Sequence, residues 1–172
     1  LGGLHKKYKV NPDILILGKA LGNGYAITSV LGKREIMEAT QSTFISSTFW
    51  TERIGPSAAL KTLEIMEKEE SWKKITQKGK KILEGWKKIS KAHNVQITTF
   101  GIPALASFQF KNKNSEYKTL LSQEMLKKGF LAATSIYVCT EHTSQIIEKY
   151  FEELYKVFKI IGDCEQGKDI NQ

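Results

Sequence analysis

Residues 11–25 read NPDILILGKALGNGY, and this stretch decides how the chain folds. The apolar run within residues 13–18 predicts a strand that is buried on both faces of a parallel sheet. The glycines that follow predict a loop in which the backbone can come close to a ligand. Lys19 stands between the end of the strand and Gly22, so a basic side chain follows directly on an apolar strand.

The rest of the chain alternates between strand and helix patterns, which predicts an α/β fold. The apolar patterns predict further strands over residues 27–31, 95–100, 104–110 and 130–138. Helical spacing predicts helices over residues 34–39, from Pro56, from a Ser71 cap to Ile89, around 117–125, and from a Thr143 cap to Gly162. The change of pattern near Ser71 predicts three parts, which are residues 1–70, a small α/β domain over 71–162, and a polar tail over 163–172.

The composition excludes several classes of protein. The chain has 172 residues, 26 Lys and Arg against 18 Asp and Glu, and 41% hydrophobic residues, which excludes a disordered or fibrous chain. No apolar run reaches the roughly 20 residues of a membrane span, and two distant cysteines exclude a disulfide framework or a zinc cluster. The positive charge lies mainly over residues 73–91 and 111–128, and the first of these is a helix face. A solvated face is therefore favoured, and nucleic-acid binding stays a weak alternative.

Lys19 is the strongest candidate for chemistry. Lysines are rarely buried without a reason, and desolvation favours the neutral amine, which can attack an aldehyde. On spacing alone, an exposed lysine at a strand end is the more common arrangement. Other motifs are incomplete, because the glycines match neither a dinucleotide fingerprint nor a P-loop. Cys139 and His142 lack a second pair of metal ligands, so no metal is expected.

Residues 11–25 closely resemble the lysine segment of class III, fold type I, pyridoxal-phosphate aminotransferases. In that family a Pro-Asp step opens the strand, and the lysine that follows Leu-Gly forms the internal aldimine with the cofactor. The resemblance therefore implies that Lys19 is both the catalytic residue and a cofactor-binding residue.

A second block of residues resembles the same family. Residues 47–49 and 55–60 are similar to a loop and helix from which a threonine of the neighbouring subunit hydrogen-bonds the cofactor phosphate. Thr48 is the first choice for that threonine because of the Ser-Thr-Phe match, and Thr51 is the second choice because of its shorter spacing to Pro56. The helix that starts at Pro56 is expected to offer free N–H groups to the same anion.

The C-terminal half is similar to the small domain of glutamate-1-semialdehyde aminomutases, through residues 128–132 and 142–143. This resemblance implies that residues 1–70 end the sheet of the large cofactor-binding domain and that 71–162 form the α+β small domain. The Arg-x-x-Pro-Pro segment of several ω-aminotransferases is missing, and the only arginines are Arg34 and Arg53. Aminotransfer to a sugar nucleotide is therefore an open variant.

The resemblance implies pyridoxal-phosphate-dependent transamination, or intramolecular amino transfer, on a small-molecule amino donor and acceptor. It also implies a homodimer in the cytoplasm, and residues 41–55 are apolar enough to be covered by a partner subunit. The aspartate that pairs with the pyridine nitrogen, the phosphate cup and the stacking aromatic of the family have no counterpart here. The chain is therefore expected to be the C-terminal part of a longer enzyme and inactive by itself. The alternative, from another functional class, is a folded fragment that has no catalytic activity and serves in association.

Overall fold

The apolar patterns of the chain form helices and short antiparallel sheets in a computed structural model, which describes residues 3–49 and 51–168. In chain order the elements are α1 (Leu4–Lys7), β1 (Ile14–Leu17), β2 (Ser29–Gly32), α2 (Arg34–Met37), α3 (Ile54–Glu69), α4 (Ser71–Ala92), β3 (Ile97–Ile102), β4 (Leu105–Phe110), α5 (Asn114–Lys127), β5 (Ser135–Tyr137) and α6 (Ser144–Glu165). Short 3-10 turns cover Lys19–Leu21 and Glu38–Ser42. The chain divides into two compact units between Ser71 and Trp72. Over the described ranges, none of the helices has the length and apolar character that crossing a membrane requires.

The first unit contains one antiparallel pair of strands. β1 pairs with β2 in a register that runs from Ile14 opposite Gly32 to Leu17 opposite Ser29. The expected strand is present, but the expected parallel sheet buried on both faces is wrong for this unit. Within the described part of the chain no third strand joins the pair, so Ile14 is 49% exposed and Ile16 is 70% exposed.

The first unit has almost no side-chain core of its own. Its buried positions include Gly22, Gly55 and Ala59, which carry little or no side chain. Large apolar side chains are exposed over its strands, its loops and α3, and they include Val30, Leu31, Phe44, Ile45, Phe49, Ile54, Leu60, Leu63 and Ile65. The unit therefore holds its shape mainly through backbone hydrogen bonds and close backbone contacts.

The second unit has a full aromatic core. Strands β3, β4 and β5 form an antiparallel sheet in that order. The Phe108 ring lies 4.7 Å from the Trp86 ring and 5.3 Å from the Phe110 ring, both edge to face. The Trp86 indole donates a hydrogen bond of 2.9 Å to the buried Tyr150 hydroxyl. α4, α5 and α6 all contribute to one cluster of buried apolar side chains around these rings.

Several predicted boundaries shift because caps and contacts are set by residues outside the local pattern. Thr143 is confirmed as the cap of α6, since its hydroxyl accepts a hydrogen bond from the N–H of Ile146 at 3.3 Å. Ser71 is the first residue of α4 rather than its cap, and no hydrogen bond to its buried hydroxyl is found in the described ranges. The strand expected over 130–138 is confined to β5.

Gly162 lies inside α6, so the prediction that it ends the helix is wrong. The helix continues to Glu165, three residues into the expected polar tail, and Cys164 is buried there. Residues 169–172 of that tail lie outside the described residues. A β-carbon on Gly162 would be 2.7 Å from the carbonyl oxygen of His93. Glycine is needed at this position because α6 packs directly against the backbone that follows α4.

The side chain of His93 also packs against α6. Its ring lies 4.3 Å from the ring of Tyr155, edge to face, and the side chain is half-buried. Burial lowers the pKa of His93 from its ordinary value, and the positive charge of Lys159 lowers it further, while Asp163 opposes both. Folding of this unit therefore favours the neutral imidazole of His93 over its charged form.

We expect Gly162→Ala to destabilise the second unit by about 1–3 kcal/mol, the usual effect of overpacking a filled site. Helix propensity alone predicts the opposite sign, since alanine is better than glycine in a helix by about 1 kcal/mol. Denaturant unfolding followed by far-UV circular dichroism measures the change. Lys149→Ala, on the exposed side of the same helix, is the matched control and should stay within about 0.5 kcal/mol. A more stable Gly162→Ala protein would contradict the packing explanation.

Candidate functional site

Lys19 lies immediately after the end of β1, at the start of a tight turn. Gly18 ends the extended backbone, and Lys19 has a φ of 50°, in the left-handed region. Its carbonyl oxygen accepts hydrogen bonds from the N–H groups of Gly22 and Asn23, both at 3.2 Å. Such backbone is unfavourable for a residue with a β-carbon by roughly 1–2 kcal/mol, so the turn must be held by its surroundings.

The side chain of Lys19 is exposed, and in the described part of the chain it forms no hydrogen bond and no ion pair. The burial expected of a reactive lysine is therefore not provided by this unit, because the unit has no core that could cover the strand end. The amine is nevertheless free of competing partners there. A free amine on a fixed turn can react with a carbonyl group.

Two glycines of the turn serve different purposes. Gly22 is buried, and a β-carbon on it would be 2.1 Å from the carbonyl oxygen of Tyr25 and 2.8 Å from a methyl carbon of Ile27. Gly24 has a φ of 107° and nothing within 4 Å of an added β-carbon. Gly22 is thus required by the closure of the loop, and only Gly24 leaves the open approach that was expected of this segment.

α3 packs against the chain that follows this turn. Gly55, in the first turn of α3, is buried, and a β-carbon there would be 2.9 Å from the carbonyl oxygen of Ala26 and 3.3 Å from the β-carbon of Ile27. The helix also packs on the 3-10 turn that contains Lys19. The start of α3 and the Lys19 turn therefore form one tightly packed block.

Both candidate threonines lie in the exposed turn that precedes α3. The hydroxyl of Ser47 accepts a hydrogen bond from the N–H of Phe49 at 3.3 Å, and the N–H of Glu52 donates to the carbonyl oxygen of Phe49 at 3.2 Å. Thr48 and Thr51 are exposed on this turn, and neither hydroxyl is hydrogen-bonded to Lys19 within the described ranges. Trp50 lies outside the described residues.

The N-terminus of α3 is occupied by a carboxylate, which the sequence analysis missed. α3 begins at Ile54 rather than Pro56, and the carboxylate of Glu52 accepts hydrogen bonds from the N–H of Ile54 and, at 3.0 Å, of Gly55. The N–H groups expected to be free for an anion are therefore already paired. Glu52 lies before the N-cap residue Arg53, outside the first turn in which acidic residues usually indicate a helix start, so the local pattern gave no signal for this cap.

The first unit holds one aspartate that could be considered for a pyridine nitrogen. Asp13 is the only aspartate before Asp163 in the sequence, and its carboxylate pairs with the ammonium group of Lys33 at 2.6 Å. Asp13 also precedes β1, whereas Lys19 follows its other end. The described residues thus include an exposed amine and exposed hydroxyls of the kinds that could hold pyridoxal phosphate, whereas the aspartate of this unit is already paired.

The Cys139 and His142 pair has a structural contact. The N–H of Cys139 donates a hydrogen bond of 3.1 Å to Nδ1 of His142, and this closes the turn before α6. The ammonium group of Lys78 donates to the carbonyl oxygen of Thr140 in the same turn at 2.5 Å. Over residues 3–49 and 51–168, no three His, Cys, Asp or Glu side chains are grouped so that they could hold a metal ion.

The sequence pattern of class-III aminotransferases matches residues 4–158. The chain belongs to this family. The 3-aminobutyryl-CoA aminotransferase of Cloacimonas acidaminovorans is 30% identical over 94% of this chain and 42% of that protein. The glutamate-1-semialdehyde 2,1-aminomutase of Hyperthermus butylicus is 25% identical over 92% of this chain and 42% of its own length. The chain therefore spans about two fifths of the length of the curated relatives it matches.

Solved structures share the fold. The FumI protein of Sphingopyxis sp. MTA144, in its internal aldimine form with PLP, superposes with a TM-score of 0.87 at 19% identity, over 96% of this chain and 41% of that one. An ω-transaminase from Sphaerobacter thermophilus superposes with a TM-score of 0.83 at 16% identity, over 92% of this chain and 41% of that one. The α/β fold expected of a class III enzyme is thus confirmed, and membership of the family implies pyridoxal phosphate as the cofactor.

We expect Gly22→Ala to destabilise the protein by about 1–3 kcal/mol, because the new methyl group would overlap the Tyr25 carbonyl oxygen and force the Lys19 turn to move. Differential scanning calorimetry measures the change. Ala20→Ser, an exposed position in the same turn, is the control and should stay within about 0.5 kcal/mol. Equal stability of the two variants would mean that the turn is not as tightly closed as described.

Proposed function

We propose that this chain is part of a longer pyridoxal-phosphate enzyme that transfers amino groups, and that Lys19 holds the cofactor. The observation that carries the proposal is the position of Lys19, an unpaired amine at the end of β1 on a turn braced by Gly22 and by α3. Membership of the family supports it, since the family match covers residues 4–158 and residues 11–25 resemble the family's lysine segment.

In this proposal Lys19 has two roles, cofactor binding and proton transfer. Pyridoxal phosphate, when bound, supplies an electron sink for the charge that develops as a bond to the substrate's α-carbon breaks. Lys19 Nζ would hold the cofactor between turnovers. As a free amine during turnover, the same atom would take the proton from the substrate carbon and later return one. The tight turn keeps Nζ within reach during both transfers.

Thr48 is proposed to donate its hydroxyl to the cofactor phosphate of the neighbouring subunit in a homodimer, with Thr51 as the second choice. The apolar surface beside the turn supports a covering partner, since Phe44 is 91% exposed, Phe49 68% and Ile54 63% in this chain. Because the only nearby aspartate is paired with Lys33, we also propose that the 172-residue chain by itself is inactive.

Transfer between two molecules is the leading reaction, and an intramolecular amino shift is the second candidate. A relative named as an aminotransferase is 30% identical, whereas those named as aminomutases are at most 25% identical among the most similar proteins. Arg34 and Arg53 are the only arginines of the chain. Aminotransfer to a sugar nucleotide therefore stays an open variant. The need for a separate amino acceptor distinguishes the two reactions.

We expect borohydride reduction of the full-length enzyme with pyridoxal phosphate to leave a phosphopyridoxyl group on Lys19, read by peptide mass spectrometry. Lys19→Ala should lower turnover by roughly 10²–10⁴-fold, because the proton-transfer group is removed. Lys9→Ala is a matched control, since Lys9 is also an exposed lysine with left-handed backbone, and it should keep its activity. A label on another lysine would refute the assignment of Lys19, and the absence of any label would favour a non-catalytic role.

We expect hybrid dimers of a Lys19→Ala subunit and a Thr48→Val subunit to regain activity. If the threonine serves the neighbouring subunit, one site of the hybrid carries both lesions and the other carries neither. Activity should therefore approach one half of that of wild type per hybrid dimer, measured after the dimers are separated by two affinity tags. An inactive hybrid would rule out Thr48 as a ligand supplied across the interface, and the same experiment with Thr51→Val tests the second choice.

A further inference from the structure

We propose that Glu52 is a positioning residue, which holds the turn that carries Thr48 in the shape that reaches the neighbouring subunit's cofactor phosphate. This inference rests on the function proposed above. Glu52 is half-buried and lies between the turn and α3. It is bonded to both, through its backbone on one side and its carboxylate on the other.

The backbone of Glu52 closes the turn. Its N–H donates to the carbonyl oxygen of Phe49 at 3.2 Å, and the N–H of Phe49 in turn donates to the hydroxyl of Ser47 at 3.3 Å. Thr48 lies within the first of these hydrogen bonds, between Ser47 and Phe49, and Phe49 also takes part in the second, which Glu52 forms. The direction of its hydroxyl therefore depends on the geometry of a turn that ends at Glu52.

The carboxylate of Glu52 is hydrogen-bonded to the start of α3. It accepts from the N–H groups of Ile54 and Gly55, which would otherwise be unpaired at the start of the 16-residue helix α3. The positive end of the helix dipole also stabilises the carboxylate charge. Because this charge is matched locally, it opposes a nearby phosphate less than a free carboxylate would.

The helix that Glu52 caps cannot shift easily. Gly55 touches the carbonyl oxygen of Ala26 so closely that a β-carbon would be 2.9 Å away. The turn that carries Thr48 is thus tied, through Glu52, to a helix that is seated on the chain following Lys19. In a dimer with shared sites, this arrangement places the lysine of one site and the threonine of the other on the same packed block.

The first test measures cofactor affinity in the full-length enzyme by equilibrium dialysis of pyridoxal phosphate. We expect Glu52→Ala to weaken binding about fivefold, the effect of a lost helix cap. Glu52→Gln keeps one acceptor oxygen but turns its NH2 group toward the second N–H, so its affinity should lie between those of wild type and Glu52→Ala. Glu64→Ala, which removes an exposed carboxylate from the same helix, is the matched control and should leave the affinity unchanged. Unchanged affinity in Glu52→Ala would overturn the inference.

The second test separates this role from general loss of structure. In a hybrid of Lys19→Ala and Glu52→Ala subunits, a lesion that acts through Thr48 falls on the site already lost. The site that keeps Lys19 should then reach half-maximal activity at the same pyridoxal phosphate concentration as the wild type. If this site needs about fivefold more pyridoxal phosphate, Glu52 acts within its own subunit and the inference is wrong. If the Lys19→Ala and Thr48→Val hybrid is inactive, the shared threonine itself is wrong, and the inference falls with it. Should Glu52→Ala fail to fold, Glu52→Ser, whose short side chain cannot pair with both N–H groups, replaces it in both tests.

Discussion

The close approach of backbone to backbone around Gly22 and Gly55 is the constraint on which the candidate site depends. In a unit with few buried side chains, the Lys19 turn is held by Tyr25 and Ala26 carbonyl oxygens that come too near for any β-carbon. Contacts of this kind are short-ranged and directional, unlike the burial of apolar area, which tolerates rearrangement. They explain how an exposed lysine can have a defined position although no core surrounds it.

The sequence predicted the elements that depend on local patterns. The apolar stripe of α4, the Thr143 cap and the position of Lys19 at a strand end can all be read within one or two turns of chain. The role of Gly162 could not be predicted in this way, because it is set by the carbonyl group of His93, 69 positions earlier in the chain. The antiparallel pairing of β1 could not be predicted either, since an apolar run indicates a strand without indicating its partner.

In the candidate site, too, the residues in local motifs could be predicted and the contacts between segments could not. Lys19 and the Ser47-Thr48-Phe49 segment were found through motifs, which are local. The carboxylate of Glu52 was missed because the sequence analysis placed the helix start at Pro56, two residues later than Ile54, and so left the cap as part of a loop. The choice between Thr48 and Thr51 depends on the loop length between motif and helix, and loop length is where related proteins differ most.

The second unit buries Trp86, Phe108 and Leu154 in a core made only of its own residues. Amide groups in such a core exchange with solvent only through large unfolding events, whereas those of a unit without a core exchange through small local openings. The small domain should accordingly behave as a separate foldon that forms during synthesis without the cofactor. The Lys19 unit should instead exchange its amide protons through local openings, because its strands and α3 leave large apolar side chains exposed.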